Sequence, residues 1–292
     1  MVRPPDRVYG IDLGVGRADA GRRTWVTAAV PVEGGVRVEH CGPATAVLDA
    51  APDRPATLRA LREFVRDRDG GAAVGLDCPF GLPADLATRL VGAVDWQTFL
   101  TAFPRQFAGP DDLEAACTAW ARTRGDRTYR LRRSEAAFGA QCAYGFVGKH
   151  LTYHGIAGLL EPLRADAAAL PMDLPGAASR DGPPARPLLL ETYPAGALAA
   201  RGLPSEGYKT DTDAARERRA RCLDGLPAVL PEPVRETVRD DAGGDALDSV
   251  VAAAVAARAT RSREAALPDD LPRRDWALEG YVYTQTDGLK EK

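Results

Sequence analysis

The chain is poor in the residues that most often announce a site. Its 292 residues hold 3 histidines, 5 cysteines and 2 methionines, and only four of its 38 basic residues are lysine. Cys41, Cys78, Cys117, Cys142 and Cys222 are odd in number, scattered and never spaced as CxxC. That pattern argues against a disulfide framework or a zinc knuckle and fits a reducing, cytoplasmic setting. His150 and His154 stand four apart in HLTYH, but Leu151 occupies the place where a zinc-protease helix carries Glu. Cysteine nucleophiles have no evident histidine partner. No P-loop, GxSxG elbow or GxGxxG fingerprint occurs, and GVGR at Gly14 to Arg17 follows a strand but opens no helix.

Long apolar runs are missing too. The strongest, Ser249 to Ala257, falls far short of the ~20 residues a bilayer span requires, so no membrane partner is expected. Met1 to Arg7 is polar and proline-broken, without the apolar core of a signal peptide. A formal charge of −3 excludes a histone-like polycation but leaves room for local basic patches. What is present is the mix of an ordinary globule, 45% hydrophobic and 27% charged.

Along the chain, Arg7 to Gly14, Thr24 to Val32 and Val36 to Cys41 read as strands, the last two joined by a Glu33-Gly34-Gly35 hairpin signal. An antiparallel meander is expected. Thr57 to Arg68 sets Leu58, Leu61, Phe64 and Val65 on one helical face, and the apolar run Ala72 to Leu76 follows as a parallel strand. From about residue 84 to 175 the chain reads as a helical insertion, with helices from Asp111, from Ser134 to about Phe146 and over Ile156 to Leu170. Gly176 to Pro187 reads as a loop. Leu188 to Leu190 is a further strand, and Asp245 to Ala259 is the best-defined helix. One α/β domain over 1–292, interrupted by the insertion, accounts for this order.

Three apolar runs end in an acid and then turn: Asp12 in GIDLG, Asp77 in GLDCPFG and Glu191 in LLETYPAG. Sites in α/β sheets form at the carboxyl ends of parallel strands. An anion placed there is costly unless something cationic compensates it. Asp245 and Asp248 lie about 60° apart on a helix, within its first turn, behind an open Gly243-Gly244 approach. If that helix packs beside the first strand, the acids converge, and their mutual repulsion of several kcal/mol calls for protons or a divalent ion. All-oxygen clusters suit Mg²⁺ or Mn²⁺. Each acid taken singly has an ordinary explanation, either the helix dipole or a turn; it is the conjunction that points to a metal.

The motifs GIDLG, VGLDCPFGLP, LLETYPA, GYK at Gly207 to Lys209, GDALDSVVAAAVAAR and EGYVY at Glu279 to Tyr283 occur in that order over nearly the whole chain. Together they resemble the domain-of-unknown-function 429 family, predicted nucleases of the ribonuclease H-like superfamily. The resemblance implies a mixed five-stranded sheet in the order 3-2-1-4-5, flanked by helices, with the helical insertion between strands 4 and 5. It also implies catalytic acids at Asp12, Asp77, Asp245 and Asp248, the last pair being similar to the closing helix of Holliday-junction resolvases. Asp12 would bridge two metal ions, Asp77 and Asp248 would each hold one, and Asp245 would assist. Glu191, one strand further out, would be a direct ligand or would hold a ligand in place.

RTRGDRTYRLRR, from Arg122 to Arg133, is the best phosphate footprint, with Tyr129 available to stack on a base. Arg130, Arg132, Arg133 and Lys209 are the expected substrate contacts. Arg216, Arg218, Arg219 and Arg221 read as plain helix surface. The expected function is a Mg²⁺- or Mn²⁺-dependent nuclease acting on DNA or RNA. Two alternatives stay open. DLGVG at Asp12 to Gly16 resembles the first phosphate loop of actin-like sugar kinases, although a second loop is not evident. The acids are otherwise structural, in a non-catalytic binding protein.

Overall fold

A computed structural model gives the fold of residues 4–125, 127–174 and 185–285. Strands β1 (Arg7–Asp12), β2 (Trp25–Val32) and β3 (Gly35–Pro43) form an antiparallel meander, with Gly34 at φ +78° in the β2–β3 turn. The helix Arg54–Arg66 follows, capped by Asp53, which accepts from the Ala56 N–H at 3.0 Å. It buries Leu58, Leu61 and Val65 against the sheet. β4 (Ala72–Asp77) then pairs parallel to β1 on the side away from β2.

The sheet is mixed and mostly parallel, flanked by helices, but it has eight strands where five were expected. Adding β5 (Ala168–Leu170), β6 (Leu188–Thr192), β7 (Ala228–Val229) and β8 (Val282–Tyr283), the order is β5-β6-β4-β1-β2-β3-β7, with β8 also paired to β6. β5, β7 and β8 are two or three residues long, too short to carry a period-two pattern. The insertion is helical but cut differently from expectation. Its helices include Trp96–Gln106 and Pro110–Thr123, while the one from Arg133 stops at Phe138, where Gly139 turns left-handed. Helix is continuous from Gly148 to Leu163 through a π-helical stretch at Ile156–Leu160, and it gives way to β5. The loop expected from Gly176 lies largely outside the described residues. Among the described residues no helix is long and apolar enough to cross a membrane.

Strand alternation separates two cores. Tyr9, Ile11, Val74, Leu76 and Leu189 face the Arg54–Arg66 helix and the insertion, where Phe99 and Phe103 are buried. Val8, Ala73, Leu188 and Leu190 face the opposite way, against Val250, Val251 and Ala254 of the closing helix, Asp245–Ala259. That helix lies almost on the strand backbones. Gly10 and Gly75 are paired in register, and a Cβ on Gly10 would fall 1.9 Å from the Ser249 carbonyl oxygen, one on Gly75 2.5 Å from that of Ala252. Ser249 also exchanges a buried 2.7 Å hydrogen bond with Thr27 of β2. Gly10→Ala is therefore expected to lift the closing helix, destabilise the fold by at least the ~1–3 kcal/mol of an overpacked core, and carry Asp248 away from the strand acids. Denaturant unfolding would measure the first effect and divalent-ion calorimetry the second.

Candidate metal centre

By the same alternation Asp12 and Asp77, paired in register at the ends of β1 and β4, point to the closing-helix face. Asp248, one turn into that helix, meets them. One carboxylate oxygen from each of the three lies within 4.8 Å of the others. Asp12 and Asp248 are buried and Asp77 is half-buried, so the group is a recess rather than an open rim.

The helix start is pinned, not the open approach that Gly243-Gly244 promised. Gly244 sits in the left-handed region at φ +72°, and Asp241 accepts from the N–H groups of Gly243 (3.2 Å) and Ala246 (2.9 Å). A second clamp comes from Gly207 to Lys209. The Tyr208 hydroxyl donates to Asp248 Oδ1 at 2.8 Å, and Lys209 Nζ pairs with Asp248 Oδ2. The backbone of this segment is held by Arg219, which donates to the Tyr208 carbonyl at 2.6 Å and to that of Arg239 at 2.7 Å. Arg219 is thus buried and structural, not plain surface.

One ammonium faces several acids, and the balance shows in their protonation. Burial, then the charge of Asp248, hold the Asp12 carboxyl well above the usual carboxylate range. Burial and Asp248 push Asp77 up to about 7, against the pull of Lys209 and a hydrogen bond with Asp12. Burial raises Asp248 as well, opposed by Lys209 and Tyr208. Asp245 stands beside this group, half-buried, its carboxyl pushed by burial to about 6. Burial works against the charge of Lys209, but Asp248 and Asp12 outweigh it and hold the ammonium above its usual range.

These shifts carry a sign. Carboxyls that hold their protons more tightly in the folded than in the unfolded chain add stability below about pH 4, and that stability is lost as pH rises through about 6 to 7. In chelator, melting temperature is expected to fall from pH 5 to pH 8. Asp77→Asn should flatten that slope, and thermal melts across the range would test both.

Glu191 is not in this group. It pairs with Leu76 rather than Asp77, so it points to the opposite face of the sheet. There it accepts from the Phe80 N–H at 2.8 Å and is gripped by both terminal nitrogens of Arg132, one at 2.7 Å. Arg132, with 1% of its side chain exposed, also binds Glu135 at 2.7 Å and the Glu279 carbonyl at 3.0 Å. Its expected phosphate contact is overturned: the buried guanidinium is neutralised by two carboxylates and also donates to a carbonyl, so its charge is already balanced inside the protein. Arg130 is paired with Asp85 and lies 5.3 Å over the Trp120 ring. Arg133 is exposed, and its backbone N–H donates to Glu279 Oε2 at 2.7 Å. Of the expected substrate contacts only Lys209 reaches the acids. Tyr208 and Asp241 shape the site without having been singled out, although GYK and the residues before Gly243-Gly244 carried the signal. Among the described residues the His150–His154 pair joins no group able to hold a metal.

Fold and site together define an α/β protein with a buried three-carboxylate recess at the carboxyl ends of adjacent parallel strands, compatible with a hard cation. The chain belongs to the family described as Protein of unknown function (DUF429), whose model matches residues 10–273. No curated protein and no solved structure matches it.

Proposed function

We propose that this protein is a divalent-metal-dependent hydrolase of phosphodiester bonds in nucleic acid, built on a ribonuclease H-like arrangement. The run β3-β2-β1-β4-β6 with acids on β1, β4 and the closing helix supports the fold assignment. The observation that carries the chemistry is the convergence of Asp12, Asp77 and Asp248, against which the described residues set the Lys209 ammonium and the Tyr208 hydroxyl. Three hard oxygen donors, no His or Cys among them and a surplus of negative charge fit Mg²⁺ or Mn²⁺.

Bound there, such an ion would acidify a water and neutralise charge on the phosphodiester. Asp12, Asp77 and Asp248 would hold it. Tyr208 orients the Asp248 carboxylate through Oδ1. Lys209, with 48% of its side chain exposed, is placed to exchange Asp248 for a phosphate oxygen. Asp245, near pH 6 in its titration, is suited to pass protons at the edge of the recess.

The direct test is cleavage of single- and double-stranded DNA and RNA with Mg²⁺, with Mn²⁺ and with chelator, beside calorimetric titration of each ion. Metal-dependent cleavage lost in Asp12→Asn supports the reading. No cleavage of any form and no ion binding would refute it. Lys209→Gln is expected to weaken substrate more than turnover, raising KM, and to lower the melting temperature of metal-free protein by leaving Asp248 without its cation; steady-state kinetics and melts in chelator would show this.

A further inference from the structure

A cavity of about 290 Å³ has one of the three acids, Asp77, in its lining. Pro79, Val147, Leu151 and Val282 give it apolar wall, Tyr193 and the exposed Gln141 add a ring and an amide, and the Arg132–Glu135–Glu191 cluster forms a charged part of the lining. The size sits at the small end of ligand pockets, nearer to one heterocycle than to a whole nucleotide. Tyr193 follows β6 directly, and its ring folds over Gly196, where a Cβ would fall 2.4 Å from it. Tyr193 and Asp77 both line the cavity, so the ring and one of the acids share its wall.

The rim is the second observation. Phe146 is 75% exposed and held at φ +41°, a conformation costly for a bulky side chain, and Val147 beside it is 63% exposed. Burial does not explain an aromatic kept in that state. Its ring lies 5.5 Å from that of Tyr129, and the next residue, Arg130, reaches Trp120. Phe146, Tyr129, Trp120 and Arg130 thus form an aromatic and cationic strip that joins the cavity lining through Val147.

We propose that this cavity seats one unstacked nucleobase, so that the protein selects unpaired strands over regular duplex. The proposal rests on the phosphodiester reading to place the neighbouring phosphate at the acids. A base has apolar faces and edges that donate and accept hydrogen bonds, and the lining offers apolar walls, an aromatic ring, one amide and the polar edge of the Arg132–Glu135–Glu191 cluster. A base inside a duplex reaches such a seat only after unpairing, which favours strands already open.

The test uses fluorescence anisotropy on the full chain, with Ca²⁺ as the divalent ion and a labelled single strand in which one abasic position is moved along the sequence. One position is expected to weaken binding about tenfold and the others less than about twofold, the size of one lost base–aromatic stack. The matching duplex should bind about tenfold more weakly. Leu151→Trp, which fills the cavity, should erase the position dependence. Equal effects at every position, duplex binding as tight as the strand, or no binding to any strand would overturn the proposal, and the wild-type scan gives that answer without the variant. Position-dependent binding without cleavage would leave the base seat standing and sink the hydrolase. Cleavage indifferent to the abasic position would do the reverse.

Discussion

Asp12→Asn is expected to abolish metal-dependent cleavage while making the metal-free protein more stable. Asp12 is the buried member of the register pair at the ends of β1 and β4, and Asp248, Asp77 and Asp245 all raise its carboxyl. Replacing it removes one of three donors. The loss should be no smaller than the ~10²–10³-fold that follows removal of a single preorganised electrostatic contact. The same change relieves like-charge repulsion in a desolvated recess, so the melting temperature in chelator should rise; ~1 kcal/mol moves a domain of this size by roughly 2–4 °C. Ion binding should weaken in parallel. The opposite directions of activity and stability separate a role at the metal from general damage. A variant that loses both would mean that Asp12 holds the fold.

Arg132→Ala should be the most destabilising single change on the insertion face of the sheet. The guanidinium ties Glu135 of the insertion to Glu191 of β6 and to the backbone of Glu279. Glu279 in turn binds the Ala84 N–H at 2.8 Å and that of Arg133, so one knot fastens the insertion to the sheet. Removing the cation leaves two buried carboxylates unpaired, a change that costs about 3–5 kcal/mol in comparable buried pairs. Chemical denaturation should show a loss of that size, with the fall in melting temperature on the order of ten degrees. Glu191→Gln keeps the shape and one neutral partner and should cost less. Because Arg132 pairs with Glu135 and Glu191 and not with the three acids, folded Arg132→Ala should still bind Mn²⁺, with Glu191, stripped of its cation, raising the neighbouring Asp77 carboxyl further. A sharp loss of ion affinity in the folded fraction would show the two faces to be coupled.

The contrast between Glu191 and the two strand aspartates marks where sequence reading stops. The three runs look alike, each an apolar stretch ending in an acid. Which face an acid takes depends on register, however, and a one-residue offset reverses it. Asp12 pairs with Asp77, but Leu76 pairs with Glu191, and no local feature of LLETYPAG reveals that. Asp248 was legible because its helix is a continuous Ala- and Val-rich run with an acidic first turn. Its neighbours Tyr208 and Lys209 reach it across forty residues, and only folding shows the contact. The arginine run read as one basic footprint, yet burial sorts it: Arg132 is enclosed, Arg130 is paired, and Arg122, Arg124 and Arg127 stay exposed. The main strands were plain from their β-branched runs, whereas β5, β7 and β8 exist only because a neighbouring edge offers hydrogen bonds.

The closing helix rests on Gly10 and Gly75 and brings the last of the three acids. During synthesis Asp12 and Asp77 leave the ribosome long before Asp248 is added. A chain halted short of residue 245 therefore exposes the bare glycine track with two carboxylates and no third. Whatever chemistry the recess performs is withheld from nascent and truncated forms until the fold is finished.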